Sequence, residues 1–113
     1  MGKGTLAGPI VIKIGGSTLG SYDTSLEDLV RLHKQGLQLV VVHGGGQIIS
    51  RWMKQQGIVP SFIKGHRVTD SQNLDIVTAV LTGLVNKQLV ASLITLGGSA
   101  IGFSGIDDHM LEC

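Results

Sequence analysis

The chain has 113 residues, 42% of them hydrophobic and 15% charged, with a formal net charge of +1. That length suits one domain with a core of its own, and that apolarity excludes a disordered chain, which could not offset its ordering entropy by burial. The near-neutral charge and the four aromatic residues, Tyr22, Trp52, Phe62 and Phe103, give neither electrostatic nor stacking grounds for a nucleic-acid partner.

Ile10 to Ile14 is a short β-branched run and predicts a buried strand ending at Gly15-Gly16. Thr24-Ser25-Leu26-Glu27 fits a capping box, with Thr24 as N-cap and Glu27 reaching back. Leu26, Leu29, Val30 and His33 follow at helical spacing, and Gly36 supplies a stop. Leu37 to Val42 predicts a second buried strand. The triglycine Gly44-Gly45-Gly46 then leads into a helix from Gln47 to Gln56, closed by Gly57. This order of strand, helix, strand and helix implies a parallel sheet covered by helices.

Pro60 to Asp70 reads as a hairpin or loop over the sheet edge. A second capping box, Thr69-x-x-Gln72, opens a long helix to about Leu96, with an apolar stripe of Leu74, Val77, Leu81, Leu84 or Val85, and Leu89. Gly83 inside it costs about 1 kcal/mol relative to alanine, which implies close packing against a neighbour. Gly97-Gly98 ends the helix, and Ser99 to Phe103 is expected to be a third strand. Most of the seventeen glycines thus mark ends of apolar runs. Cys113 is the single cysteine, so no internal disulfide forms and a reducing compartment is implied. With no run of about 18 apolar residues and no signal pattern, the expectation is a soluble cytoplasmic chain without a membrane partner.

Two features point to chemistry. Lys13 interrupts an apolar strand two residues before a glycine turn, at the edge where open α/β sheets bind ligands. A positioned ammonium there stabilises charge on a phosphoryl group; the plain alternative is a lysine snorkelling from an edge strand. Gly44, Gly45 and Gly46 lie between a strand and a helix start, where backbone N–H groups hold anions. The alternative is a tight turn needing positive φ. No Gly-Lys-Ser/Thr follows and no G-x-G-x-x-G opens either helix, so neither a Walker A loop nor a dinucleotide fingerprint is present. Arg67 offers a planar fork for a carboxylate or is a solvated surface arginine. His43 reads as a hydrogen-bonded core histidine, and Asn86-Lys87 as an interior polar contact beside a solvated lysine. Asp107, Asp108, His109, Glu112 and Cys113 are metal-ligand types with no defensible site spacing, so no metal site is expected and the tail reads as frayed.

Taken together, Val11-Ile12-Lys13-Ile14-Gly15-Gly16-Ser17, Val41-Val42-His43-Gly44-Gly45-Gly46, Gly65-His66-Arg67-Val68-Thr69-Asp70, Leu74 to Lys87 and Ala100 to Asp107 resemble the amino-acid kinase family in order and spacing. The arginine loop followed by the helix with its Asn-Lys pair is similar to the branch acting on N-acetyl-L-glutamate. The resemblance implies a three-layer α-β-α sandwich with a mainly parallel sheet. It also implies ATP-dependent phosphorylation of the γ-carboxylate of N-acetyl-L-glutamate, a step of arginine synthesis, with Mg2+ accompanying the nucleotide. Lys13 would stabilise the transferring group, with Gly15 and Gly16 near the ATP phosphates. Gly45 and Gly46 would hold the substrate by their N–H groups, Arg67 would clamp a carboxylate, and the long helix would form a homo-oligomer. Family members are more than twice this length, so residues 1–113 are expected to be one N-terminal substrate-binding half, lacking the nucleotide-binding part and inactive alone. The rivals are an acetylaminoadipate kinase of lysine synthesis, whose substrate is one methylene longer, and a non-catalytic anion-binding module.

Overall fold

The computed structural model describes residues 8–15 and 24–112. Strand β1 (Ile10–Ile14) pairs in parallel with β2 (Leu39–His43), Ile10 opposite Leu39 and Ile14 opposite His43. Between them runs helix α1 (Ser25–Lys34), whose Glu27 and Asp28 open the first turn and whose Arg31, His33 and Lys34 close the last. Each charge therefore lies at the end of the helix dipole that favours it. Gly36 comes next at φ +91° and turns the chain into β2. Helix α2 (Gly46–Gln55), a hairpin of β3 (Phe62–Ile63) and β4 (His66–Arg67), and a long helix over Ser71–Thr95 complete the described elements.

The long helix has three parts: α3 (Ser71–Thr78), a π segment (Ala79–Val85) and α4 (Asn86–Thr95). A π turn spends more residues per turn than an α turn and so shifts the phase of the helix beyond it. Val80, Val85 and Leu89 are buried, whereas Leu74 of the expected stripe is half exposed. Between Leu84 and Val85, it is Val85 that enters the core. There Ile49 and Met53 of α2 meet Val80 and Val85, with Ile48, Ile58, Ile76, Val77, Leu81 and Leu84 packed around them. Helix α1 lies against α4. Ser71–Thr95 spans 25 residues and contains an 18-residue stretch of mean hydropathy 1.5, long and apolar enough by those measures alone to cross a membrane. Its core-facing side chains are already used against α2.

The α/β class and the parallel pairing are as expected, and five local expectations are corrected. Neither strand is buried throughout: Val11 and Lys13, with Val40 and Val42 opposite, lie on an exposed face, while Ile14 alone is buried. Thr24 is the N-cap of α1 but makes no capping bond; its hydroxyl faces the Asp28 carboxylate instead. The second cap moves by one residue, from Thr69 to Asp70, whose carboxylate accepts from the Asn73 N–H at 2.9 Å. Asp caps at least as well as Thr, and its charge also suits the positive end of the helix. Gly83 is exposed, and a Cβ there would meet nothing within 4 Å. It belongs to the π segment and not to a tight contact among the described residues. Ser99 to Phe103 forms no strand, because among the described residues it has no ladder partner; Asn86 and Lys87 reach its carbonyls instead.

Candidate functional site

The ends of β1 and β2 lie side by side, since the Gly44 N–H donates to the Ile14 carbonyl at 3.3 Å. Gly15 and the triglycine therefore leave the sheet at one place. None of Gly44, Gly45 and Gly46 takes a left-handed φ, so the tight-turn alternative does not explain them. Close approach explains Gly45, where a Cβ would lie 3.1 Å from Leu81 Cδ1 and 3.2 Å from Val85 Cγ2; one on Gly44 would sit 3.9 Å from the Lys13 ammonium, an ordinary contact. Gly46 opens α2, and its carbonyl accepts from Arg67 Nη2 at 2.7 Å. Three successive glycines thus meet three different parts of the chain: the β1 lysine, the π segment and the hairpin arginine.

Lys13 projects from the exposed face of β1, its Nζ 3.2 Å from the Ile14 carbonyl. That position brings it to the triglycine without burying its charge. Gly15 is at the end of β1; Gly16 and Ser17 lie outside the described residues.

Arg67 is placed by a two-residue turn, Lys64 at φ +48° and Gly65 at φ +80°, the pattern of a type I′ hairpin. Across the hairpin its guanidinium stacks 4.8 Å from the centre of the Phe62 ring, a contact that holds the planar cation in one orientation. Nη2 also donates to Ser50 Oγ at 2.6 Å, and Nη1 to Met53 Sδ at 3.2 Å. The solvated-surface alternative is therefore excluded. Three of the five guanidinium N–H groups are engaged within the chain, which leaves two for a ligand. Arg67 borders an open groove of about 800 Å³ with Gly46, Ser50, Arg51, Lys54 and Phe62. Its walls carry three cationic side chains and no carboxylate, so its field favours an anion.

Behind the triglycine, His43 Nδ1 lies 3.0 Å from the Gly44 carbonyl and Nε2 lies 3.1 Å from Asn86 Nδ2. His43 is thus a hydrogen-bonded histidine, as its sequence position suggested. Asn86 is buried, at 7% exposure. Lys87 is not simply solvated: its ammonium donates to Asn86 Oδ1 at 3.1 Å and to the Gly102 carbonyl at 2.8 Å. The tail is folded and not frayed: Asp107 accepts from the Ser104 N–H at 2.6 Å and opens a short 3₁₀ turn, Asp107–His109. No group of three metal-ligating side chains occurs among the described residues; Cys113 lies outside them.

Sequence reading missed Ser50 and Met53 as partners of Arg67. Both lie on the face of α2 turned to the hairpin, a relation that helical spacing marks only as amphipathic. The role of Lys87 was also hidden, because its partner carbonyl sits fifteen residues away in a segment expected to be a strand.

The model of the amino acid kinase family matches residues 8–112. An acetylglutamate kinase of Dehalococcoides mccartyi is 50% identical over 98 residues, covering 87% of this chain and 36% of its own length. An acetylglutamate kinase of Prochlorococcus marinus is 44% identical over 106 residues, covering 91% of this chain and 35% of its own. The crystal structure of smu.665 from Streptococcus mutans UA159 superposes with a TM-score of 0.78 at 33% identity, covering 88% of this chain and 41% of the other. The chain spans little more than a third of the length of the curated relatives it matches. With the parallel β1–β2 pair and the glycine turns at one edge, these matches settle the assignment: the chain belongs to the amino acid kinase family.

Proposed function

We propose that this chain is the acceptor-binding part of an acetylglutamate kinase, which transfers the γ-phosphoryl group of ATP to the γ-carboxylate of N-acetyl-L-glutamate in arginine biosynthesis. The observation that carries this reading is the convergence of Lys13, Gly45, Gly46 and Arg67 on one strand-to-helix turn. The names of these two relatives support the substrate.

In this reading the remaining N–H groups of Arg67 bind a carboxylate of the acceptor. Among the described residues no acceptor is paired with the Gly45 or Gly46 N–H, and these donors hold the substrate at the positive end of α2. Lys13, beside Gly44, offsets the charge that gathers on the transferring group. A carboxylate oxygen of the acceptor forms the new P–O bond while the bond between the γ-phosphorus and the bridging oxygen breaks, giving an acyl phosphate and ADP. ATP supplies the phosphoryl group, and Lys13, Gly15 and Gly16 are assigned to its phosphates. The described residues offer no carboxylate cluster for Mg2+. They fit an ion that arrives on the nucleotide and keeps its waters.

The remaining two thirds of the relatives' length is assigned the nucleotide pocket, and residues 8–112 are assigned the acceptor. The exposed side of the long helix, where Gly83 leaves room for close approach, is assigned to a second copy. A cytoplasmic location is in keeping with the biosynthetic role.

Titration calorimetry tests the reading. N-acetyl-L-glutamate should bind, and bind better than its homologue one methylene longer, a difference worth about 1–3 kcal/mol. Arg67→Ala should weaken binding at least about tenfold, as expected for losing a charge-assisted carboxylate contact. Binding that ignores Arg67 would overturn the site. Adding the C-terminal two thirds of the Dehalococcoides mccartyi relative should restore ADP release dependent on N-acetyl-L-glutamate. Ligand binding with no activity in that mixture would favour the non-catalytic module instead.

A further inference from the structure

The chain of contacts behind the triglycine fixes its own protonation. An ammonium only donates, so the Asn86 atom that Lys87 Nζ touches at 3.1 Å is the amide oxygen. The amide nitrogen of Asn86 therefore faces His43 Nε2, at 3.1 Å. An amide N–H also only donates, so Nε2 is the acceptor and carries no proton. On the other side of the ring, Nδ1 lies 3.0 Å from the Gly44 carbonyl. A carbonyl only accepts, so Nδ1 carries the proton. The neutral Nδ1–H tautomer satisfies both contacts. An imidazolium would set N–H against N–H at Asn86, and the Nε2–H tautomer would fail at both ends.

The Gly44 carbonyl belongs to the same peptide plane as the Gly45 N–H, and in a trans peptide the two point in opposite directions. A peptide between two glycines has little of its own to hold it, because neither residue has a side chain to restrict rotation. Fixing the carbonyl from behind fixes the N–H in front. The long helix makes that possible from two successive positions: Val85, the last residue of the π segment, packs on Gly45, and Asn86, the next residue, reaches His43. Asn86 is itself held by Lys87, and that arrangement needs a glycine at 102, where any Cβ would run into the Asn86 carboxamide.

We propose that His43 and Asn86 are a positioning pair: a neutral, Nδ1-protonated His43, oriented by buried Asn86, locks the Gly44–Gly45 peptide so that the Gly45 N–H is presented to an anionic acceptor. The locking stands on the hydrogen bonds themselves. Its use for N-acetyl-L-glutamate rests on the functional reading above.

Nitrogen-15 NMR of the whole chain reads both parts. His43 is expected as the neutral Nδ1–H tautomer, distinct from exposed His33, His66 and His109, which serve as internal controls. Asn86→Asp replaces the donor with a carboxylate that only accepts, so it demands a proton on Nε2. It should drive His43 out of the Nδ1–H form and move the Gly45 amide resonance. His43→Asn keeps an N–H near Nδ1 and should leave that resonance nearly in place, whereas His43→Phe should shift it. The same ranking is expected in affinity for N-acetyl-L-glutamate, with His43→Phe weaker by about tenfold, the cost of one buried hydrogen bond, and His43→Asn close to the parent. If Asn86→Asp does not fold, the two His43 variants carry the comparison. A wild-type His43 found as a tautomer mixture, or a Gly45 amide indifferent to His43→Phe, overturns the pair. A wild-type chain that shows the tautomer and the amide shift but does not bind N-acetyl-L-glutamate leaves the pair standing and sinks the functional reading.

Discussion

The triglycine turn and the segment after Gly98 are built in opposite ways. Around Gly44–Gly46 each residue is met by a separate element, and the side chains behind it, Ile49, Met53 and Val85, are buried. After Gly98 the apolar side chains face outward: Ile101 is 87% exposed and Ile106 and Leu111 are each 72% exposed. That segment is fastened to the rest by polar contacts, chiefly from Asn86 and Lys87 to the carbonyls of Phe103 and Gly102. The comparison teaches that the triglycine turn is supported from several elements among the described residues. The segment beyond it has been positioned without being packed.

Two substitutions press on this difference at its strongest points. Met53→Ala removes the most buried side chain, at 1% exposure, from between α2 and the long helix. It should cost about 2–5 kcal/mol, the range for truncating a core methionine, and it also takes the sulfur from Arg67 Nη1. Urea denaturation measures the loss; a change under about 1 kcal/mol would mean that α2 is not held by this core. Gly102→Ala strikes the bridge between the two regions. Its Cβ would run into the Asn86 carboxamide and lie 2.8 Å from Val90 Cγ2. Overpacking of this kind costs about 1–3 kcal/mol. The His43 tautomer should change with it, which a mere destabilisation would not cause.

Much of this was legible in the residues, and the gaps have physical causes. The two strands, α1, α2, the hairpin and the extent of the long helix are set by β-branched runs, helical spacing and glycine stops, because each is a local preference. Thr69 and Asp70 show where local signals tie: both are good caps next to one another, and only the helix's final register chooses. Helical spacing does not choose between Leu84 and Val85, because the π segment resets the phase and no spacing rule announces that. Ser99 to Phe103 has the composition of a strand, but a strand is made by its partner, and composition carries no information about partners. In the site, Lys13 and the triglycine stood out because they break apolar runs. The Arg67 contacts to Ser50 and Met53 and the Lys87 contact to Gly102 join positions 14 to 17 residues apart, and only the fold brings those together.

The smallest expected effect is the one that sharpens the comparison most. Ile101→Thr replaces an apolar side chain that is 87% exposed with a polar β-branched one of similar backbone preference. Little apolar surface is withdrawn from water at this position in the described structure. The substitution should therefore change unfolding free energy by no more than about 0.5 kcal/mol, as for ordinary surface positions, and leave the affinity for N-acetyl-L-glutamate unchanged. The same substitution should matter when the C-terminal two thirds of a relative is present, if Ile101 is then covered. Restored activity should fall in the mixture while the isolated chain stays as stable as before. A large loss of stability in the isolated chain would show that the segment after Gly98 is packed after all, and the contrast with the triglycine turn would disappear.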